Sequence, residues 1–302
     1  MSARFGILGV LFIIIATTAR AEPPKVVVSL KPLHALAAAV MEGVGAPRLI
    51  VQGAASEHAY ALRPSEAASI ESADAIFWVG PMMESYLIRP LAALPKHARL
   101  VTLIDLPQLT LLPRRAGGTF ERDDDAPAPG AGPDGHVWLD PQNARIMAQA
   151  MAQTLSAIDP AHAVLYAANE AKLDADLAAL DAELRQRLAP LRAKPFIVFH
   201  DAYHYLEARY GLRVLGSITV DPSLAPSAQR LTAIRARIKD QGALCVFSEP
   251  QFEPRLLPVV IEGTAARTGV LDPLGSALAP GRDADFTLMR NLASALEGCL
   301  AR

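Results

Sequence analysis

The chain has 302 residues, is 51% hydrophobic and 20% charged, and carries a formal charge of −2. That length suits two lobes of ordinary size better than one very large core, and a mildly acidic balance lacks the basic excess that nucleic-acid partners require. Two cysteines and seven histidines are few enough to be weighed one position at a time.

At the start, Arg4, the apolar run Gly6–Ala16 and the small-x-small triplet Ala19-Arg20-Ala21 read as a secretory signal peptide over residues 1–21, with Glu22 first after cleavage. The run falls short of the about 20 residues that a membrane span needs. No Cys stands at the cleavage point to accept a lipid, so an exported product free in the periplasm is expected. Loss of 1–21 removes Arg4 and Arg20 and no acid, which leaves the mature chain more acidic still.

From 22 to 158, short apolar runs alternate with helix-length segments. The strand candidates are Val26–Leu30, Arg48–Val51, Ala75–Val79 and Arg99–Ile104, and the helical stretches Leu33–Met41, Pro64–Ser72 and Glu84–Leu94 lie between them. Pro113–Gly135 breaks this rhythm. Its Gly, Pro and the acidic run Glu121-Arg122-Asp123-Asp124-Asp125 predict a mobile loop. Those aspartates lack the glycine and closing glutamate of an EF-hand, so calcium is weakly supported.

Asp159–Leu191 then opens with an N-cap aspartate and Pro160 at the first helical position. Leu173, Leu177, Leu180, Leu184, Leu188 and Leu191 recur at spacings of three and four, which predicts one long helix with a single apolar stripe. A second alternating array fills 192–302: strands at Phe196–Phe199, Arg213–Val220, Leu244–Ser248 and Val270–Leu271, helices at Tyr203–Tyr210, Pro226–Asp240, Pro254–Thr268 and Asp283–Leu300. The expected fold is therefore α/β, with two βα lobes (22–158 and 192–302) of mostly parallel strands joined by a rigid helix over 159–191. Cys245 in a strand-like run and Cys299 near the chain end can form one staple across about 55 residues, worth roughly 4 kcal/mol in the loop-entropy account; two buried thiols are the alternative.

Three histidines each stand where an apolar stretch meets a polar loop: His58 in Ser56-Glu57-His58-Ala59-Tyr60, His136 in His136-Val137-Trp138-Leu139-Asp140-Pro141, and His200 in Phe199-His200-Asp201-Ala202-Tyr203. Neutral imidazole suits zinc, copper, iron and nickel, whereas calcium and magnesium prefer oxygen. Their wide separation excludes a local finger or a His-Glu-x-x-His helix, so tertiary structure has to bring them together. Ligands in open α/β sheets bind beyond the carboxyl ends of strands, which places a shared metal site in the cleft between the lobes. Asp140, ahead of Pro141, reads as a helix cap. His34 and His204 within helices, His97 in a turn and His162 at the start of the long helix read as ordinary residues.

Carried by these segments, the mature chain resembles the zinc-binding solute receptors of ABC importers, a cluster that also contains manganese and iron receptors and some proteins named adhesins. The most specific stretch is Gly53-Ala54-Ala55-Ser56-Glu57-His58-Ala59-Tyr60-Ala61-Leu62-Arg63-Pro64-Ser65. Ala73–Gly80, His136–Pro141 and Phe199–Tyr203 match in turn, as do Phe247–Phe252 and Leu271–Gly275. The resemblance implies zinc ligation by His58, His136 and His200, with Glu57, Asp272 or a water in the fourth position, Glu249 as a supporting carboxylate and Asp201 as a neighbour that orients or caps. It also implies a Cys245–Cys299 disulfide, a monomer, and delivery of zinc to an inner-membrane ABC permease, with no chemistry performed by the protein itself. Manganese-type members carry a glutamate where His200 stands, which turns the preference toward zinc. Zinc members carry histidines in the loop before the second ligand, and Pro113–Gly135 has none, so an auxiliary metal-collecting role for it is not supported. A zinc hydrolase is the rival from another class, since three protein ligands plus a nearby glutamate also build catalytic zinc.

Overall fold

A computed structural model describes residues 22–115, 119–120, 132–220, 222, 225–252 and 256–301. The expected signal peptide, 1–21, lies outside them, as do 116–118 and 121–131 of the acidic loop.

The two alternating arrays fold as two four-stranded parallel sheets. In the first, β1 (Val26–Val28), β2 (Arg48–Leu49), β3 (Ala75–Trp78) and β4 (Arg99–Thr102) lie in the order β2-β1-β3-β4. In the second, β5 (Pro195–His200), β6 (Arg213–Thr219), β7 (Cys245–Ser248) and β8 (Arg267–Val270) lie in the order β6-β5-β7-β8. Inner strands such as Val-Val-Val in β1 and Pro-Phe-Ile-Val-Phe-His in β5 are buried at every residue, as parallel strands covered on both faces must be. The edge strands β4 and β8 begin with exposed Arg99 and Arg267, which discourage further pairing. In each sheet the chain reverses its winding beside the first strand. Both carboxyl edges thus have a switch point, between β1 and β3 and between β5 and β7.

The helices are α1 (Lys31–Val40), α2 (Pro64–Glu71), α3 (Ile88–Ala93), α4 (Pro141–Ile158), α5 (Ala163–Leu188), α6 (His204–Tyr210), α7 (Ala228–Gln241), α8 (Leu257–Ile261) and α9 (Ala284–Leu300). The long helix expected over 159–191 is α5 with a short 3-10 turn at each end, Pro160–His162 and Ala189–Leu191. At 26 residues it is about 39 Å long. Its buried leucines, Leu173, Leu177, Leu180, Leu184 and Leu188, are each worth about 1.5–3 kcal/mol in burial. They belong to the core that α5 shares with α1, α4 and α9. Arg187 pairs with Glu297 at 2.8 Å and Arg290 with Glu183 at 2.7 Å, so α5 and α9 are also tied by charge. One apolar core runs through both lobes, with a smaller one beneath α7 around Ile197, Leu215, Ile234 and Val246. The staple exists as a Cys245–Cys299 disulfide, fastening α9 to β7.

Four expectations are corrected. Glu84–Leu94 is not one helix: a 3-10 turn at Ser85–Leu87 precedes α3, because Pro90 has no N–H to donate and is tolerated only in a helix's first turn. The expected helix Pro254–Thr268 shrinks to α8, and the strand placed at Val270–Leu271 begins earlier, at Arg267; residues 253–255 lie outside those described. Gly263, at φ +68°, turns the chain between α8 and β8 in the left-handed region that favours glycine. The ends of the Pro113–Gly135 loop, expected to be mobile, are instead pinned. Pro113 bridges Pro133, Arg114 N–H donates to Gly132 O at 3.3 Å, and Asp134 N–H donates to Leu112 O at 2.8 Å.

Candidate metal centre

His58 and Glu57 stand in the loop after β2. Glu66 sets that loop by accepting from Tyr60 Oη at 2.8 Å and from the Arg63 backbone at 2.8 Å. His136 enters a 3-10 turn, Val137–Leu139, immediately before α4. That helix is capped as expected, with Asp140 accepting from Gln142 N–H at 2.8 Å. His200 is the last residue of β5, and Glu249 directly follows β7, so this pair straddles the switch point of the second sheet.

The fold brings all three imidazoles together with Glu57: one donor atom from each of Glu57, His58, His136 and His200 lies within 4.8 Å of every other. Glu57 Oε1 is 3.8 Å from Nε2 of each histidine, and His136 Nε2 is 3.2 Å from His200 Nε2. A tetrahedral ion with Zn–N bonds of 2.0–2.1 Å sets its ligands about 3.3 Å apart, so small adjustments seat one in this arrangement. Glu57, His136 and His200 are buried and His58 is partly exposed. Among the described residues neither Glu57 oxygen has a hydrogen-bond donor, an arrangement costly for a buried carboxylate unless a cation compensates it. Beside the cluster, a cavity of about 20 Å³ lined by His58, His136, Asp134, Met82, Met83 and Arg115 has room for about one water or ion.

Carboxylates hold two of the rings from behind. Asp134 accepts from His136 Nδ1 at 2.7 Å and from its backbone N–H at 2.9 Å, and Glu249 accepts from His200 Nδ1 at 2.5 Å. An acceptor on Nδ1 fixes the tautomer and turns the Nε2 lone pair inward, which is how metal-binding histidines are commonly oriented. Burial would push the Glu57 carboxyl up, but the facing His136 imidazole and the charges of His58, His200 and His136 outweigh it and hold Glu57 at about 2. Burial likewise opposes the cation on His136, yet Asp134 and Glu57 raise it to about 10. His200 is also raised: burial opposes its charge, and Glu249 and Glu57 overcome that.

Glu249 thus stands as a supporting carboxylate, as its match implied. Asp201, expected to orient or cap, has its carboxylate engaged by a guanidinium. It forms a two-pronged pair with Arg115, at 2.6 and 3.0 Å, and Arg115 also binds Glu207 at 2.6 Å. Asp272 is outside the cluster: its carboxylate accepts from Gln251, Leu274 N–H, Ser276 N–H and Ser276 Oγ. Asp134 was missed, although it lies two residues before His136 in a stretch read as loop. His34 bonds Pro47 O at 3.0 Å and His162 bonds Asp159 at 2.7 Å, both away from the site.

Two parallel βα lobes, bridged by one long helix and meeting at buried metal-donor side chains, define the class of helix-bridged solute receptors. Within that class, the family described as "Zinc-uptake complex component A periplasmic" matches residues 26–299, and the chain belongs to it. The high-affinity zinc uptake system protein ZnuA of Brucella suis is 48% identical over 310 residues, covering 93% of each chain. Its counterpart in Paracoccus denitrificans is 37% identical, covering 94% of each. A crystal structure of ZnuA superposes with a TM-score of 0.74 at 26% identity, covering 91% of this chain and 99% of that one. No helix among the described residues is long and apolar enough to cross a membrane.

Proposed function

We propose that the chain, exported to the periplasm with removal of residues 1–21, captures zinc through Glu57, His58, His136 and His200 and delivers it to an ABC-type permease. The observation that carries this reading is the convergence of three imidazoles and one carboxylate, drawn from three distant stretches, within 4.8 Å. Family membership supports zinc as the cargo, and both relatives named above are zinc-uptake proteins. Three nitrogens and one oxygen make a donor set suited to zinc, whereas manganese favours a shell richer in oxygen. The protein's part is to bind and release, so metal capture is the only chemistry required of the site. Isothermal titration of metal-stripped protein tests the assignment. Zinc binds one to one, His200→Ala lowers the affinity by orders of magnitude, and unchanged affinity in that variant rejects the site. Growth of a deletion strain under zinc chelation tests delivery, and normal growth there argues against an uptake role.

A further inference from the structure

Lys31 is the first residue of α1, at the carboxyl edge of the first sheet, and its side chain does not reach the metal centre. It crosses the cleft. Its ammonium donates to Gly275 O at 2.6 Å, Ser276 O at 2.8 Å and Leu278 O at 2.8 Å, all in the loop that follows β8 in the other lobe. The residue is 5% exposed, and its three donors meet three carbonyls, which fully satisfies a lysine. Gly275, at φ +63°, supplies the left-handed turn that aims these carbonyls together.

A second grip on the same loop comes from Trp138, whose Nε1–H donates to Pro273 O at 2.8 Å and whose ring lies 5.3 Å from that of His136. Inside the loop, Asp272 holds Ser276 and Leu274 and accepts from Gln251 at 2.8 Å. Gln251 is two residues beyond Glu249, which grips His200. A continuous series of bonds therefore runs from Lys31 through the 272–278 loop and Gln251 to the carboxylate that orients His200.

Because His58 and His136 belong to one lobe and His200 to the other, the metal centre keeps its shape only if the lobes keep their spacing. We infer that Lys31, with Trp138 as a second tether, is a positioning residue: it fixes the 272–278 loop to the first lobe and so holds His200 at ligating distance from His58, His136 and Glu57. The inference rests on the metal-site assignment above.

The test compares the wild-type chain, Lys31→Met, Trp138→Phe and a control, Lys194→Met, whose ammonium binds Leu300 O. Zinc release into excess chelator is followed by stopped flow, and the visible absorption of the cobalt(II)-loaded protein reports site geometry. Lys31→Met and Trp138→Phe release zinc roughly tenfold faster or more and weaken or shift the cobalt bands, while Lys194→Met matches wild type. A merely structural role lowers the melting temperature of the metal-free variants and leaves release and cobalt spectrum untouched. That result overturns the inference, and so does an unaltered Trp138→Phe should Lys31→Met not fold. The two readings fail separately: unchanged affinity in His200→Ala removes the site, whereas unchanged release in Lys31→Met from a protein in which His200→Ala abolishes binding removes only the tether.

Discussion

The side chains that complete this site are the ones behind the rings. His58, His136 and His200 were legible in the sequence as candidates because imidazole where an apolar stretch meets a polar loop is an uncommon signal, whereas Glu57 was named only through the family resemblance, with Asp272 as its alternative. Asp134 was not, because a carboxylate acting through a ring nitrogen has no sequence periodicity and sits in a Gly- and Pro-rich stretch. Its bonds to His136, at 2.7 and 2.9 Å, predict that Asp134→Ala lowers zinc affinity by about 10–100-fold. Asp134→Asn, which keeps an acceptor for Nδ1 but loses the charge, should fall between, and competition titration with a chromophoric chelator orders the three. Acidity acts on the same groups. With His136 raised from its ordinary 6.5 to about 10, its ion pairs stabilise the metal-free fold fully below 6.5, and that contribution is lost as pH rises through about 10. Glu57, lowered from 4.5 to about 2, contributes above 4.5 and loses that contribution as pH falls through about 2. Zinc requires neutral imidazoles, so it must displace protons that the metal-free protein holds firmly. The rise in melting temperature on adding zinc should therefore widen from about pH 5 to about pH 8, with proton release visible as a buffer-dependent binding enthalpy. An equal rise at both ends would contradict the coupling.

Among the elements, those with a strong period were read well and those punctuated by Pro and Gly were not. The leucine spacing that announced α5 is the same stripe that the core buries, and Asp140 with Pro141 marks the start of α4 in both sequence and structure. By contrast α8 is only five residues long, too short for apolar spacing to separate helix from strand; its end is set by a turn at Gly263. The links that fasten elements together were legible only in part. The cysteines could be paired by resemblance, while the Arg187–Glu297 and Arg290–Glu183 pairs between α5 and α9 required the fold. Two stability predictions belong to this scale. Leu180→Ala, at a side chain 1% exposed on the face that α5 buries, should cost about 2–5 kcal/mol. Replacing Cys245 and Cys299 together by alanine should cost about 2–4 kcal/mol by releasing α9 from β7. Urea unfolding of metal-free protein measures both, and a loss under about 0.5 kcal/mol, typical of surface substitutions, would show that either link is idle.

For the molecule as a whole, the question is how far two lobes that share a metal can move apart. Open sheets joined by flexible strands favour wide hinge motion, but here the connection is a helix of 26 residues buried against both lobes, and one apolar core continues through them. Separating the lobes would expose the α1, α5 and α9 faces to water at about 25 cal/mol for each Å² of apolar surface, a penalty that the metal-free protein would have to bear in order to open widely. Lys31 and Trp138 add bonds across the cleft. Release is then expected through local rearrangement around His58, the most exposed of the four donors, with its side chain at 15%, while the lobes stay in register. Small-angle scattering of zinc-loaded and metal-free protein should accordingly give radii of gyration within about 1 Å of each other, the scale of preorganised binding. Hydrogen exchange in α5 should be alike in the two states, and the difference on metal removal should concentrate in the loop around Glu57 and His58 and the segment ahead of α4. A several-ångström expansion on metal removal, with loss of protection along α5, would mean that the helix is a hinge and that the tethers at Lys31 and Trp138 open with it.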